Sequence, residues 1–203
     1  MRRRKFGGEL GISLLEMIVV LAVIGLLLGA ITPMVISYVE DAKREKAEGD
    51  VKVIGASIIR LTRDVGHFPI YTDGTRTTGT PDFDILQGPG NDPIDNPPGN
   101  NKWFTPGKAD DLEDHLIKNA PGTTPYSSNG RFRWRGPYLE KITEDPWGNR
   151  YLVNIGNANP ADSPAKVVWT CSAGPDGTID TDPDSPADSG PAPGGDDICS
   201  RLK

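Results

Sequence analysis

A carboxylate sits at the front edge of an apolar run long enough to cross a bilayer. Ile12-Ser13-Leu14-Leu15-Glu16 leads into an unbroken apolar or glycine stretch from Met17 to Ile31. The run resumes after Thr32 and Pro33 with Met34-Val35-Ile36, so residues 12–37 are long enough to span a membrane. An acidic residue at mid-membrane costs roughly 2.5–3.5 kcal/mol, so such a residue usually has a partner and a role. Pro33 lacks a backbone donor, which predicts a kink or local melting of the helix. Gly25 and Gly29 form a G-x-x-x-G pair that permits close helix approach.

The residues ahead of the run give its orientation. Arg2-Arg3-Arg4-Lys5 is a positive-inside signal, placing the N-terminus in the cytoplasm and the bulk of the chain across the membrane. A secretory signal carries its small cleavage residue after the apolar core. Here the small residue, Gly11, precedes the core, and cutting between Gly11 and Ile12 leaves the apolar helix on the mature chain. These features resemble the type IV prepilin family, which includes the type II secretion pseudopilins. The resemblance implies that a prepilin peptidase cuts after Gly11 and that Ile12 becomes N-methylated. It also implies that Glu16, with Pro33, serves assembly, Glu16 neutralising the terminal amine of a neighbouring subunit. A buried ammonium and carboxylate are tolerable together where either alone is not. An ordinary signal anchor with Glu16 in the headgroup layer is the plainer reading of the same residues.

Charge excludes one class of partner. The chain carries a formal −6, and −9 once the leader is gone, which argues against nucleic-acid binding. With 24 Gly and 19 Pro, the part after the anchor reads as one loop-rich domain, residues 38–203, with a limited core. The only cysteines, Cys171 and Cys199, fit one disulfide in an oxidising compartment, or alternatively two unpaired buried thiols. Closing such a loop stabilises by about 3 kcal/mol.

Val51, Ile54, Ile58, Leu61 and Val65 recur at spacings of three and four, an amphipathic helix stripe that ends at Gly66 and His67-Phe68-Pro69. A helix from residue 12 to about 65 would be roughly 80 Å long and too apolar to stay a soluble monomer. Residues 70–107 read as a long irregular surface loop, and 110–119 as a short helix or turn. Tyr151–Ile155 and Lys166–Cys171 read as two antiparallel strands, followed by loop almost to the end. The expected class is therefore α+β, a long helix packed on a small antiparallel sheet.

Gly136-Pro137-Tyr138-Leu139, leading to Asp145-Pro146-Trp147-Gly148-Asn149 and Tyr151, has turn chemistry and narrows the resemblance to the major pseudopilin of type II secretion. Asp64-Val65-Gly66-His67-Phe68-Pro69 is similar to that family's helix exit. The cysteine pair and the long 70–130 segment depart from it, the former being more typical of true type IV pilins.

Seven aspartates and no Lys or Arg lie between Cys171 and Cys199. Oxygen-only donors suit Ca2+; the alternative is a merely solvated acidic loop. Asp180-Thr181-Asp182-Pro183-Asp184 opens like an EF-hand, but the template then fails at Ser185 and Pro191. The resemblance instead implies a Ca2+ loop held by Asp176, Asp196 and Asp197, with backbone carbonyls and Asp180 as a weaker candidate. His67 and His115, isolated in sequence, read as surface or capping residues rather than zinc ligands.

No nucleophile elbow, phosphate-cradling loop or metalloprotease helix is present, so a structural subunit is expected rather than an enzyme. The resemblance implies a filament of copies with packed helices, working with minor pseudopilins and an inner-membrane assembly platform. It would lie in the periplasm and help export folded proteins across the outer membrane. The alternative is a type IV pilin or minor pilin of a surface pilus.

Overall fold

The computed structural model describes residues 11–71, 82–96, 103–104, 107–160 and 164–202. The basic leader Arg2–Lys5 lies outside them. The chain divides into two compact units, Met1–Ala42 and Lys43–Lys203.

One helix, α1 (Leu14–Val65), contributes to both. Ser13 caps it: its Oγ accepts the N–H of Leu15 at 3.2 Å, and its carbonyl takes the N–H of Met17. Glu16 sits in the first turn, where the helix dipole favours an anion. The helix runs on through Pro33 without melting. Next to it Thr32 Oγ1 donates to the Leu28 carbonyl at 2.7 Å. In the first unit the apolar side chains all face outward, and the segment is long and apolar enough to cross a membrane by length and composition.

The second unit is built on the rest of α1. The stripe Val51, Ile54, Ile58, Leu61 and Val65 is buried, joined by Ala47 one turn earlier. Burying such a side chain stabilises by about 1.5–3 kcal/mol. The stripe packs on a five-stranded sheet of β1 (Ile85–Gln87), β3 (Ala109–Asp111), β4 (Leu152–Val153), β5 (Trp169–Ser172) and β7 (Ile198–Arg201), in the order β3-β1-β4-β5-β7. A separate parallel pair joins β2 (Ile94–Asp95) to β6 (Thr178–Ile179). Alternation divides the sheet's side chains between two cores. Leu86 and Val153 join the α1 stripe, while Ile85, Leu152, Trp169 and Cys171 form a second cluster with Trp103 and Ile179. Gly55 lets α1 approach β5 and the C-terminus: a Cβ there would lie 3.2 Å from Leu202 Cδ1 and 3.6 Å from Thr170 Oγ1.

Four expectations need correction. The sheet is mixed, because β1 and β3 run parallel. The 70–107 segment is not simply a surface loop. It supplies β1 and β2, and Trp103 caps the second core with its indole N–H on the Thr181 carbonyl at 2.7 Å. Segments of two or three residues are too short to show alternation, so nothing local marked them as strands. Residues 109–111 form β3, and the helix runs over 112–118, with a π turn at Asp114–Lys118 closed by Asn119 in the left-handed region. The chain after Cys171 carries β6 and β7, not loop alone.

His115 is a fifth correction: it is fully buried. Its Nδ1 lies 2.6 Å from Tyr126 Oη and its Nε2 3.1 Å from Asp110, and Phe83 meets its ring edge-on. Sequence isolation hid this, because Tyr126 and Phe83 arrive from separate segments.

Candidate functional site

Two places carry the chemistry singled out by the sequence. The first is the start of α1. Gly11, Ile12 and Glu16 are all exposed, with Glu16 one turn along the helix from Ile12. An added Cβ at Gly11, Gly25 or Gly29 would meet nothing within 4 Å. Every apolar side chain around Glu16 therefore points to surroundings that the monomer does not provide. The capping role of Ser13 was missed in the sequence reading.

The second place is the acidic loop, which β5 and β7 hold at its two ends. Cys171 and Cys199 are register partners on these antiparallel strands and are joined as a disulfide. One carboxylate oxygen from each of Asp176, Asp180 and Asp196 lies within 4.8 Å of the others. Asp197 is not in that triad; Asp180 is. Asp197 turns inward instead. Its Oδ2 accepts the N–H of Asp180 at 2.9 Å, the N–H of Thr181 at 2.6 Å and the Thr181 hydroxyl at 2.6 Å. Its Oδ1 is buried with no hydrogen-bond partner among the described residues. Burial pushes the Asp197 carboxyl up to about 6, against the hydrogen bonds from Thr181 and Asp180 that lower it.

Glycine makes the cradle possible. A Cβ at Gly174 would lie 2.6 Å from the Asp196 carbonyl, and one at Gly195 would overlap the Asp180 carboxylate. Both glycines have positive φ, a region that disfavours other residues. Asp176 Oδ1 accepts the N–H of Thr178 at 2.7 Å, and Asn96 donates to Asp180 Oδ1. Oxygen donors held this way, beside one unsatisfied buried carboxylate oxygen, fit a hard divalent cation such as Ca2+.

The Asp-Pro-Trp-Gly-Asn turn braces this loop. Asp145 is buried; its Oδ1 accepts the N–H groups of Trp147 (3.0 Å) and Asn149 (2.8 Å). Its Oδ2 accepts the Ser172 hydroxyl at 2.6 Å, and Ser172 Oγ takes the Gly174 N–H at 3.2 Å. Asn149 also lies against Gly177. The turn and the acidic loop are thus tied together through the end of β5. Sequence reading identified the turn chemistry but missed that Asp145 reaches across to Ser172, a contact between residues 27 apart.

The profile described as "Type II secretion system (T2SS), protein G" matches residues 115–188, from His115 through the turn and into the acidic loop. The chain is 25% identical over 175 residues to the type II secretion system core protein G of Escherichia coli, covering 86% of this chain and 87% of that protein. It is 26% identical over 163 residues to the core protein G of Pseudomonas aeruginosa, covering 80% and 83%. The chain is similar to the major pseudopilin of type II secretion. No solved structure matches it. The likeness to core protein G covers most of the chain, and the profile falls on the turn and the acidic loop.

Proposed function

We infer that this chain is a structural subunit of a type II secretion pseudopilus rather than an enzyme. One observation carries the reading: a helix exposing an apolar surface from Ile12 to Val39 joins a domain that resembles core protein G over most of its length. Such a surface requires lipid or copies of the same helix around it. Removal of the leader between Gly11 and Ile12 leaves a free amine one turn from Glu16. In a filament, the Glu16 carboxylate of one copy neutralises the Ile12 amine of the next, since neither charge is tolerable alone in an apolar core.

The subunit is held in the inner membrane by residues 12–37, with its C-terminal domain in the periplasm. Its partners are further copies, minor pseudopilins, the prepilin peptidase and the assembly platform. Ca2+ would be held by Asp176, Asp180 and Asp196, with Asp197 fixing the 180–181 backbone beneath them. Bound there, the cation supplies charge neutralisation and rigidity to a loop of repelling carboxylates. The cystine and the Asp145 brace restrain the same loop from its two ends.

Gene deletion tests the role. Secreted enzymes trapped in the periplasm, with surface pili unchanged, are the expected result. Normal secretion with altered surface fibres would overturn it in favour of a type IV pilin.

A further inference from the structure

Arg131-Phe132-Arg133-Trp134-Arg135 alternates cations with aromatics in an otherwise acidic chain. The strip lies beside the end of α1, because the Arg133 N–H donates to the Asp64 carbonyl at 2.9 Å. Trp134 turns inward: its indole N–H meets the His115 carbonyl at 3.1 Å, and its ring meets Tyr138 edge-on. The arginines are thereby turned the other way. Arg131, Arg133 and Arg135 are exposed, as are Arg60 and Arg63 on the adjoining turns of α1.

Phe132 is 55% exposed, with the Arg131 guanidinium 5.4 Å above its ring centre. Its other side covers Gly66, where a Cβ would lie 2.8 Å from the ring. The ring is therefore fixed in place as a surface feature. Asp64 is the carboxylate beside the strip. It accepts the Tyr138 hydroxyl at 3.0 Å and lies 3.8 Å from Arg135 Nε. One carboxylate does not balance this many guanidinium groups, and exposed aromatic–arginine surfaces are typical of recognition sites.

The complementary surface is on the same chain. Once Asp176, Asp180 and Asp196 are set aside for a cation, the acidic loop still presents Asp188 outward, and beside it the exposed Asp184, whose Oδ1 takes Lys166 Nζ at 2.6 Å. No Lys or Arg interrupts the loop between the cysteines. The strip's own contacts run to α1, Ser127, His115 and Tyr138, not to that loop. A surface on one copy that matches a different surface on the next makes a head-to-tail contact, the kind that propagates into open helical assemblies.

We propose that the strip Arg131–Arg135 receives the 184–188 segment of the acidic loop of a second copy. Arginine forks suit carboxylates, and Phe132 supplies the apolar floor that shields them from water. The proposal rests on the filament reading given above.

Charge reversal and rescue in the native host test it, using the full-length chain and scoring the fraction recovered in sedimentable fibres. R131E/R133E and D184K/D188K are each expected to cut that fraction by about tenfold, as like charges are juxtaposed across the contact. Combining all four is expected to restore assembly, and R131K/R133K to retain most of it. Unchanged thermal melting of each variant in detergent separates these effects from misfolding. Undiminished fibres in R131E/R133E would overturn the proposal. Loss without restoration in the combined variant would overturn it too, and would assign the strip to a different anionic partner. If the parent chain itself forms no fibres, the filament reading fails first and this contact with it.

Discussion

The two halves of α1 share one backbone geometry and differ in almost everything else. Up to Ala42 the apolar side chains are exposed; from Ala47 onward the apolar stripe is buried against the sheet. Leu27 is 52% exposed, whereas Leu61 is 0%. The first half is apolar on all sides from Met17 to Ile31, behind Glu16 at its capped end. The second half is a stripe of six small or branched residues set among charges. A helix that finds its partner inside the same domain needs only a narrow apolar face. One that finds it in lipid or in other copies needs apolar residues all round.

The sharpest break of this comparison is at Glu16. Glutamine keeps the side chain's size and removes the charge. Glu16→Gln is expected to abolish fibre assembly while the chain still accumulates in the membrane fraction. Fibres at parental levels would remove Glu16 from the assembly account.

Next in size is a matched pair of truncations. Leu61→Ala is expected to destabilise the domain by about 2–5 kcal/mol, as for other large-to-small core changes. Leu27→Ala is expected to leave the melting temperature in detergent unchanged. Equal shifts from the two would show that the first half also packs within the monomer.

The acidic loop gives a smaller effect. A fragment starting at Lys43 is expected to melt higher in Ca2+ than in chelator, by about 2.7 kcal/mol of stability at a hundredfold excess over Kd. Asp180→Ala is expected to remove that difference. Asp197→Ala is expected to lower melting even in chelator, because the three hydrogen bonds to its Oδ2 are lost. Identical melting of the parent fragment with and without Ca2+ would sink the cation site.

The smallest effect is at Tyr138, which joins the Gly-Pro-Tyr-Leu segment to Asp64 at the end of α1. Burial, followed by the Asp64 carboxylate, raises its hydroxyl from 10 to about 12. A phenol raised in the folded state contributes stability that is fully present below pH 10 and lost as pH rises through about 12. Tyr138→Phe is expected to cost about 1 kcal/mol at neutral pH, and that cost should shrink between pH 10 and 12 in denaturant titrations. A pH-independent difference would remove the ionisation from the account.

Much of this was legible in the sequence wherever the signal is local. The α1 stripe shows its period over four turns. The Asp-Pro-Trp-Gly-Asn turn shows its chemistry in five residues. β4 and β5 were legible as an antiparallel pair, but β1, β2, β3 and β6 show nothing, because their definition lies in partners 24 or more positions away, as for Leu86 opposite Asp110. His115 was misread for the same reason. In the acidic loop the composition pointed to a cation, but the choice between Asp180 and Asp197 depends on which carboxylate the Thr181 backbone captures.

The sequence by itself determined the long helix, its anchor, its entry acid and the acidic character of the loop, because each depends on residues near one another along the chain. Only the tertiary structure decided the mixed sheet, the second core beneath Trp103, the brace from Asp145 to Ser172, and the turning of Asp197 away from its neighbours. Those features depend on which distant backbone donors and acceptors meet once the cores close, and no local pattern encodes that meeting.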